Sequence, residues 1–76
     1  MSEMEGRPAG IPVRVNGEER RIGRGQTVKA YVESLGLHPD MVVVEHNREI
    51  LNRDKYGDVR IGEGDVLELV HFVGGG

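Results

Sequence analysis

Seventy-six residues with a formal charge of −3 and no cysteine exclude a second core, a disulfide framework, a thiolate metal site and a cysteine nucleophile. Charged residues make up 30% of the chain and hydrophobic ones 37%, with one Phe, two Tyr and no Trp, so the core is expected to be aliphatic, built from Val, Leu and Ile. The acidic balance argues against nucleic acid as a partner, no apolar run reaches membrane-spanning length, and a cysteine-free fold without a signal-peptide core is expected in the cytoplasm.

Residues 1–10 are polar and punctuated by Gly and Pro, and are expected to form a flexible N-terminal extension. A single domain is expected over residues 11–72. It begins with Ile11, Val13 and Val15 alternating with Pro12, Arg14 and Asn16, the period of a strand. Pro12 has no N–H, so its nitrogen must face an edge or a strand start. Asn16-Gly17 is a strong hairpin signal, because both residues tolerate positive φ in a type I′ turn. A two-residue loop then pairs Val15 with Glu18, Arg14 with Glu19 and Ile11 with Ile22.

After a loop at residues 23–26, Thr27 is suited to cap a helix. Val28, Tyr31, Val32 and Leu35 follow on one helical face, and Gly36 and Pro39 end the run. So short a helix needs a sheet to lie on. Met41 to Glu45, with three consecutive valines, reads as a strand. His46 to Glu49 reads as a turn into a short strand at Ile50-Leu51. Asn52 to Gly57 is polar and accommodates one 3₁₀ turn; Val59 to Ile61 is extended; Gly62 to Asp65 is a turn. The last strand, Val66 to Phe72, places Leu67 and Leu69 on one face and Val66, Glu68, Val70 and Phe72 on the other.

A hairpin, a helical crossover and a last strand that can run parallel to the first describe an α+β fold, a mixed β-sheet with one helix packed across it. This is the β-grasp, or ubiquitin-like, arrangement.

Charge is unevenly spread. From Ile11 to Val32, Arg14, Arg20, Arg21, Arg24 and Lys29 meet only Glu18 and Glu19; from Glu33 onward nine acids meet four bases. The basic stretch is read as solvated surface. His38, His46 and His71 are too scattered for metal spacing. Gly23-x-Gly25 lacks the remainder of a phosphate loop and reads as a plain turn. Glu63 and Asp65 read as turn chemistry. With no nucleophile–base constellation, the chain is expected not to be an enzyme and to bind no metal or cofactor of its own.

The remaining candidate is residues 73–76, a flexible glycine-rich tail of Val73-Gly74-Gly75-Gly76. Extended, it spans about 13 Å and passes through a slot that side chains would block. Its working group is the carboxylate of Gly76, which is unreactive until activated. Val70, Phe72 and Val73 are the expected partner-docking residues beside it.

Val15-Asn16-Gly17-Glu18, Glu45-His46-Asn47-Arg48-Glu49, Gly64-Asp65-x-Leu67-Glu68-Leu69-Val70 and the ending His71-Phe72-Val73-Gly74-Gly75-Gly76 resemble the ThiS family of thiamine-biosynthesis sulfur carriers, within the ThiS/MoaD group of ubiquitin-like proteins. The resemblance runs from Ile11 to Gly76. It implies that an E1-like, ThiF-like adenylyltransferase uses ATP to activate Gly76. A persulfide donor then converts the carboxyl to a thiocarboxylate, and a ThiG-like thiazole synthase accepts the sulfur. Gly75 and Gly76 carry over as functional positions, with Gly74 supporting reach. The chain departs from the family pattern at Asn47-Arg48-Glu49, where a glycine is common in the middle position, and in its ten-residue extension. Sulfur delivery to molybdopterin, tRNA or amino-acid biosynthesis, protein modification through isopeptide bonds, and an inert interaction module remain alternatives.

Overall fold

The computed structural model describes residues 10–72. The expected extension, apart from Gly10, and the tail 73–76 lie outside the described residues. Between them are β1 (Ile11–Val15), β2 (Glu18–Ile22), α1 (Val28–Ser34), β3 (Val42–His46), β4 (Glu49–Ile50) and β5 (Val66–His71). Short 3₁₀ turns occupy Pro39–Met41 and Arg53–Lys55. The strands form one mixed sheet in the order β2-β1-β5-β3-β4.

The hairpin has the register its turn dictates, from Ile11↔Ile22 to Val15↔Glu18. Asn16 and Gly17 both take positive φ, at 51° and 83°, which matches the twist of the strands they join. Arg14 and Glu19 are opposite one another. Arg14 nevertheless donates to the Gly17 carbonyl, while Glu18 pairs with Arg20 at 2.8 Å, an exposed contact worth little. Gly10 enters β1 at φ 83°, where a Cβ would fall 2.0 Å from the Ile22 carbonyl oxygen, so only glycine fits.

Pro12 sits without penalty because its nitrogen faces the β5 side before that ladder starts. Its carbonyl accepts from Gly64, and Arg14 N–H is the first β1 donor, to Asp65. From there β1 and β5 run parallel through Arg14↔Val66 and Val15↔Leu67. β5 and β3 are antiparallel over five pairs, from Val42↔His71 to His46↔Leu67.

The helix is capped as expected: Thr27 Oγ1 accepts from Ala30 N–H at 3.1 Å, and Gly36 follows at φ 79°. Val28, Tyr31 and Val32 are buried, but Leu35 is 47% exposed. The helix stops at Ser34, and the Leu35 N–H turns back to Val32 in a tighter turn. The side chain thereby leaves the stripe that the 3.6-residue period assigns to it.

Several strand bounds shift by a residue. Met41 belongs to the 3₁₀ turn opened by Pro39, so β3 runs from Val42 to His46, β4 is Glu49–Ile50 rather than Ile50-Leu51, and β5 ends at His71 rather than Phe72. Val59 to Ile61 stays outside the sheet, tied to the helix start by the Thr27↔Arg60 bridge.

The core lies between the sheet and the helix. Val13, Val15, Val42, Val44 and Leu67 come from the sheet, and Val28, Tyr31 and Val32 from the helix. It is not wholly aliphatic, since Tyr31 and Tyr56 are both buried. The Tyr56 hydroxyl donates to Val42 C=O at 2.7 Å and accepts from Val44 N–H at 3.2 Å. Those are the groups of β3 that lie before β4 begins, so a core side chain completes the ladder where no strand does.

The last strand and the surface around it

β5 occupies the middle of the sheet, and its exit carries the chain toward residues 73–76. Its alternation is the expected one. Leu67 is fully buried and Leu69 half-buried, whereas Glu68 and Val70 are exposed on the face turned from the helix. Val70 is 56% exposed and Phe72 46%. The register sets Val70 opposite Val43, Glu68 opposite Glu45, and Glu45 in turn opposite Ile50, itself 73% exposed.

The outer face therefore presents Val43, Val70 and Ile50 around two acidic side chains, with Phe72 at its margin. Phe72 N–H donates to Met41 C=O at 2.8 Å, so the backbone is tied to the domain as far as Phe72. Of the expected docking residues, Val70 and Phe72 are both exposed. Val73, Gly74, Gly75 and Gly76 lie outside the described residues.

Sequence reasoning missed one cluster. Asp65 does close its turn, with Oδ2 accepting from Gly62 N–H at 2.8 Å. The same oxygen lies 2.7 Å from His46 Nε2, and Asn47 Nδ2 donates to Oδ1 at 3.3 Å. The contact crosses nineteen residues of sequence, and only the antiparallel β3–β5 register brings it about. Both side chains are about four-fifths covered.

Burial pushes the Asp65 carboxyl up, but the Gly62 N–H, the His46 and Asn47 hydrogen bonds and the His46 charge outweigh it. The net shift is below the ordinary value of 3.8. A depressed folded value contributes stability that is present above the unfolded value and disappears as pH falls through the folded one. Asp65→Asn should therefore cost on the order of 1 kcal/mol at pH 6. The gap between variant and wild type should close below pH 3.8. Urea titrations of both chains across that range measure it, and a gap independent of pH would contradict the assignment.

The other candidates have plain structural roles. His38 Nδ1 accepts from Asp40 N–H in the 3₁₀ turn, and His71 is exposed at the end of β5. Gly23-x-Gly25 is a turn closed by Gln26 N–H on Gly23. Among the described residues, no three potential metal ligands converge, and no helix is long and apolar enough to cross a membrane.

The model of the ThiS family matches residues 13–76, from Val13 in β1 through the last glycine. The chain belongs to the ThiS family. Its fold agrees with that of the thiamine biosynthesis protein ThiS of Geobacter metallireducens. The crystal structure of that protein superimposes at a TM-score of 0.74 with 28% identity, covering 87% of this chain and all of the other.

The sulfur carrier protein ThiS of Bacillus subtilis is 42% identical over 50 residues, which is 66% of this chain and 76% of that protein. Two thiazole synthases also contain a similar stretch. That of Paramagnetospirillum magneticum is 44% identical over 62 residues, and that of Magnetococcus marinus 39% identical over 66. This ThiS-family chain spans 19% and 20% of their lengths.

Proposed function

We propose that this chain carries sulfur on its C-terminal carboxyl for formation of the thiazole ring of thiamine, and is a substrate of its partner enzymes rather than an enzyme. The observation that carries this reading is the family match that extends to Gly76 and so takes in Gly74 and Gly75. The Bacillus relative, named a sulfur carrier, supports it. The similar stretch inside two thiazole synthases supports a ThiG-like enzyme as the sulfur acceptor.

The chemistry requires no side chain of the carrier. In the first step the Gly76 carboxylate attacks the α-phosphorus of ATP on a ThiF-like adenylyltransferase. This forms the acyl-adenylate and releases pyrophosphate. The terminal sulfur of a persulfide donor then displaces AMP to give an acyl disulfide. A thiol cleaves its S–S bond, leaving the thiocarboxylate and a disulfide. The thiocarboxylate is a soft nucleophile that can deliver its sulfur to the forming ring.

Intact-mass measurement after incubation with ATP, a ThiF-like enzyme and a persulfide donor tests the reading. A gain of one sulfur in place of one oxygen supports it. No gain with several such enzymes, each active on its own carrier, overturns it.

Docking of the activating enzyme is assigned to the outer face of the sheet. Val70→Asp puts a charge on a position more than half exposed, so the fold should persist. Burying that charge against an apolar partner should raise the KM for adenylation at least about tenfold. A wild-type KM in a folded Val70→Asp chain would move the docking site elsewhere.

A further inference from the structure

Two turns of the same kind grip β5 from opposite sides. The β1–β2 turn holds Asn16 at φ 51°, and the β3–β4 turn holds Asn47 at φ 52°. Asn16 donates its backbone N–H to Leu67 C=O at 2.9 Å, and its Oδ1 accepts from Leu69 N–H at 2.8 Å. Asn47 donates its backbone N–H to Val66 C=O at 2.8 Å, and its Oδ1 accepts from Val66 N–H at 2.9 Å. Each asparagine thus offers β5 the donor and the acceptor that a strand residue would, although neither belongs to a strand.

The need for Asn16 follows from the topology. β1 pairs with β5 only at Arg14↔Val66 and Val15↔Leu67; at Asn16 the chain turns away. Among the described residues, β5 from Leu69 onward has a strand neighbour on the β3 side alone. The Asn16 carboxamide supplies the acceptor that a longer β1 would have supplied. Asparagine suits the place because it tolerates the left-handed region and carries an oxygen on a short arm. Both asparagines are exposed, so their value to the fold does not come from burial.

We propose that Asn16 is a positioning residue for the reaction at Gly76, clasping β5 so that Val70, Phe72 and the chain exit stand in one fixed relation to a docked adenylating enzyme, while Asn47 ties down the start of the same strand. The inference rests on the carrier reading above. Without the Asn16 acceptor, the segment from Leu69 to Phe72 is held on one side only. A displacement of about 1 Å at a distant support is enough to slow a positioned reaction roughly a hundredfold.

The test uses Asn16→Gly, which keeps the left-handed backbone and removes the oxygen, and Asn16→Asp, which restores an oxygen. Asn47→Gly probes the second clasp. In the full chain, amide exchange at Leu69 should speed up about tenfold in Asn16→Gly, and at Val66 in Asn47→Gly, while the Val44 amide is unchanged. In ATP–pyrophosphate exchange with a ThiF-like enzyme, kcat should fall about tenfold in Asn16→Gly with KM within about twofold. Asn16→Asp should recover both.

A wild-type kcat in Asn16→Gly, or a loss that Asn16→Asp does not repair, overturns the positioning role. A wild-type chain that is never adenylated overturns the carrier reading. The clasp is then judged on exchange alone, and unchanged Leu69 exchange in Asn16→Gly overturns it.

Discussion

Deletion of Gly76 is expected to abolish sulfur loading while leaving the domain as stable as before. The reacting atom of the proposed mechanism is the terminal carboxylate, and removing one residue withdraws it by about 3.3–3.6 Å. A nucleophile has to reach about 3–3.5 Å from its target, so a carboxylate held one residue short misses the α-phosphorus of ATP. The rate of pyrophosphate exchange should fall by at least about a thousandfold.

Stability should not change, because the core is made from Ile11 to Leu67 and the last described backbone bond is that of Phe72. Gly76→Ala separates reach from fit. It keeps the carboxylate at full length but adds a methyl group, and a smaller loss than that of the deletion would assign the difference to reach. Pyrophosphate exchange at the wild-type rate in the deleted chain would remove the C-terminal carboxyl from the mechanism.

Leu67→Ala is expected to destabilise the domain by about 2–5 kcal/mol. Leu67 is fully inaccessible and opposes Val15 on one side and His46 on the other. Cutting it back therefore opens a cavity at the one strand that joins the hairpin to the β3–β4 half of the sheet. A domain of this length is stabilised by only about 4–11 kcal/mol in total. The loss should show as a large drop in the urea midpoint with an unchanged slope. Val70→Ala, on the opposite face of the same strand, should stay within about 0.5 kcal/mol of wild type. A cost under about 1 kcal/mol for Leu67→Ala would mean that the core is not centred on this strand.

These two variants separate two properties of one strand. Its inner side chains hold the sheet to the helix, and its outer side chains are the ones proposed to meet a partner. Asp65 and Asn47 at its start and Asn16 near its middle add polar ties that the apolar pattern alone does not provide.

Much of this was legible in the chain because the decisive interactions are local. Asn16-Gly17 sets a two-residue turn, and the turn sets the hairpin register pair by pair. Thr27 caps a helix within three residues of itself, and the alternation of Val66 to Phe72 assigns each side chain to a face without knowledge of its neighbours. The glycine tail and the hairpin and strand motifs also carried the family resemblance, later matched over residues 13–76.

The tertiary structure decided what depends on distant partners. Arg48 sits at φ 73°, a conformation that costs a side-chain-bearing residue about 1–2 kcal/mol. It does so because the β3–β4 turn must bring Asn47 back onto β5. Tyr56, in a stretch that reads as polar, is buried because β3 has two backbone groups without a strand partner. His46 meets Asp65 because the antiparallel ladder folds nineteen residues of chain into one contact. Leu35 leaves the apolar face because the helix ends one residue before it. In each case the local pattern is silent or misleading, since the energy comes from satisfying a backbone group or closing a ladder contributed by another part of the chain.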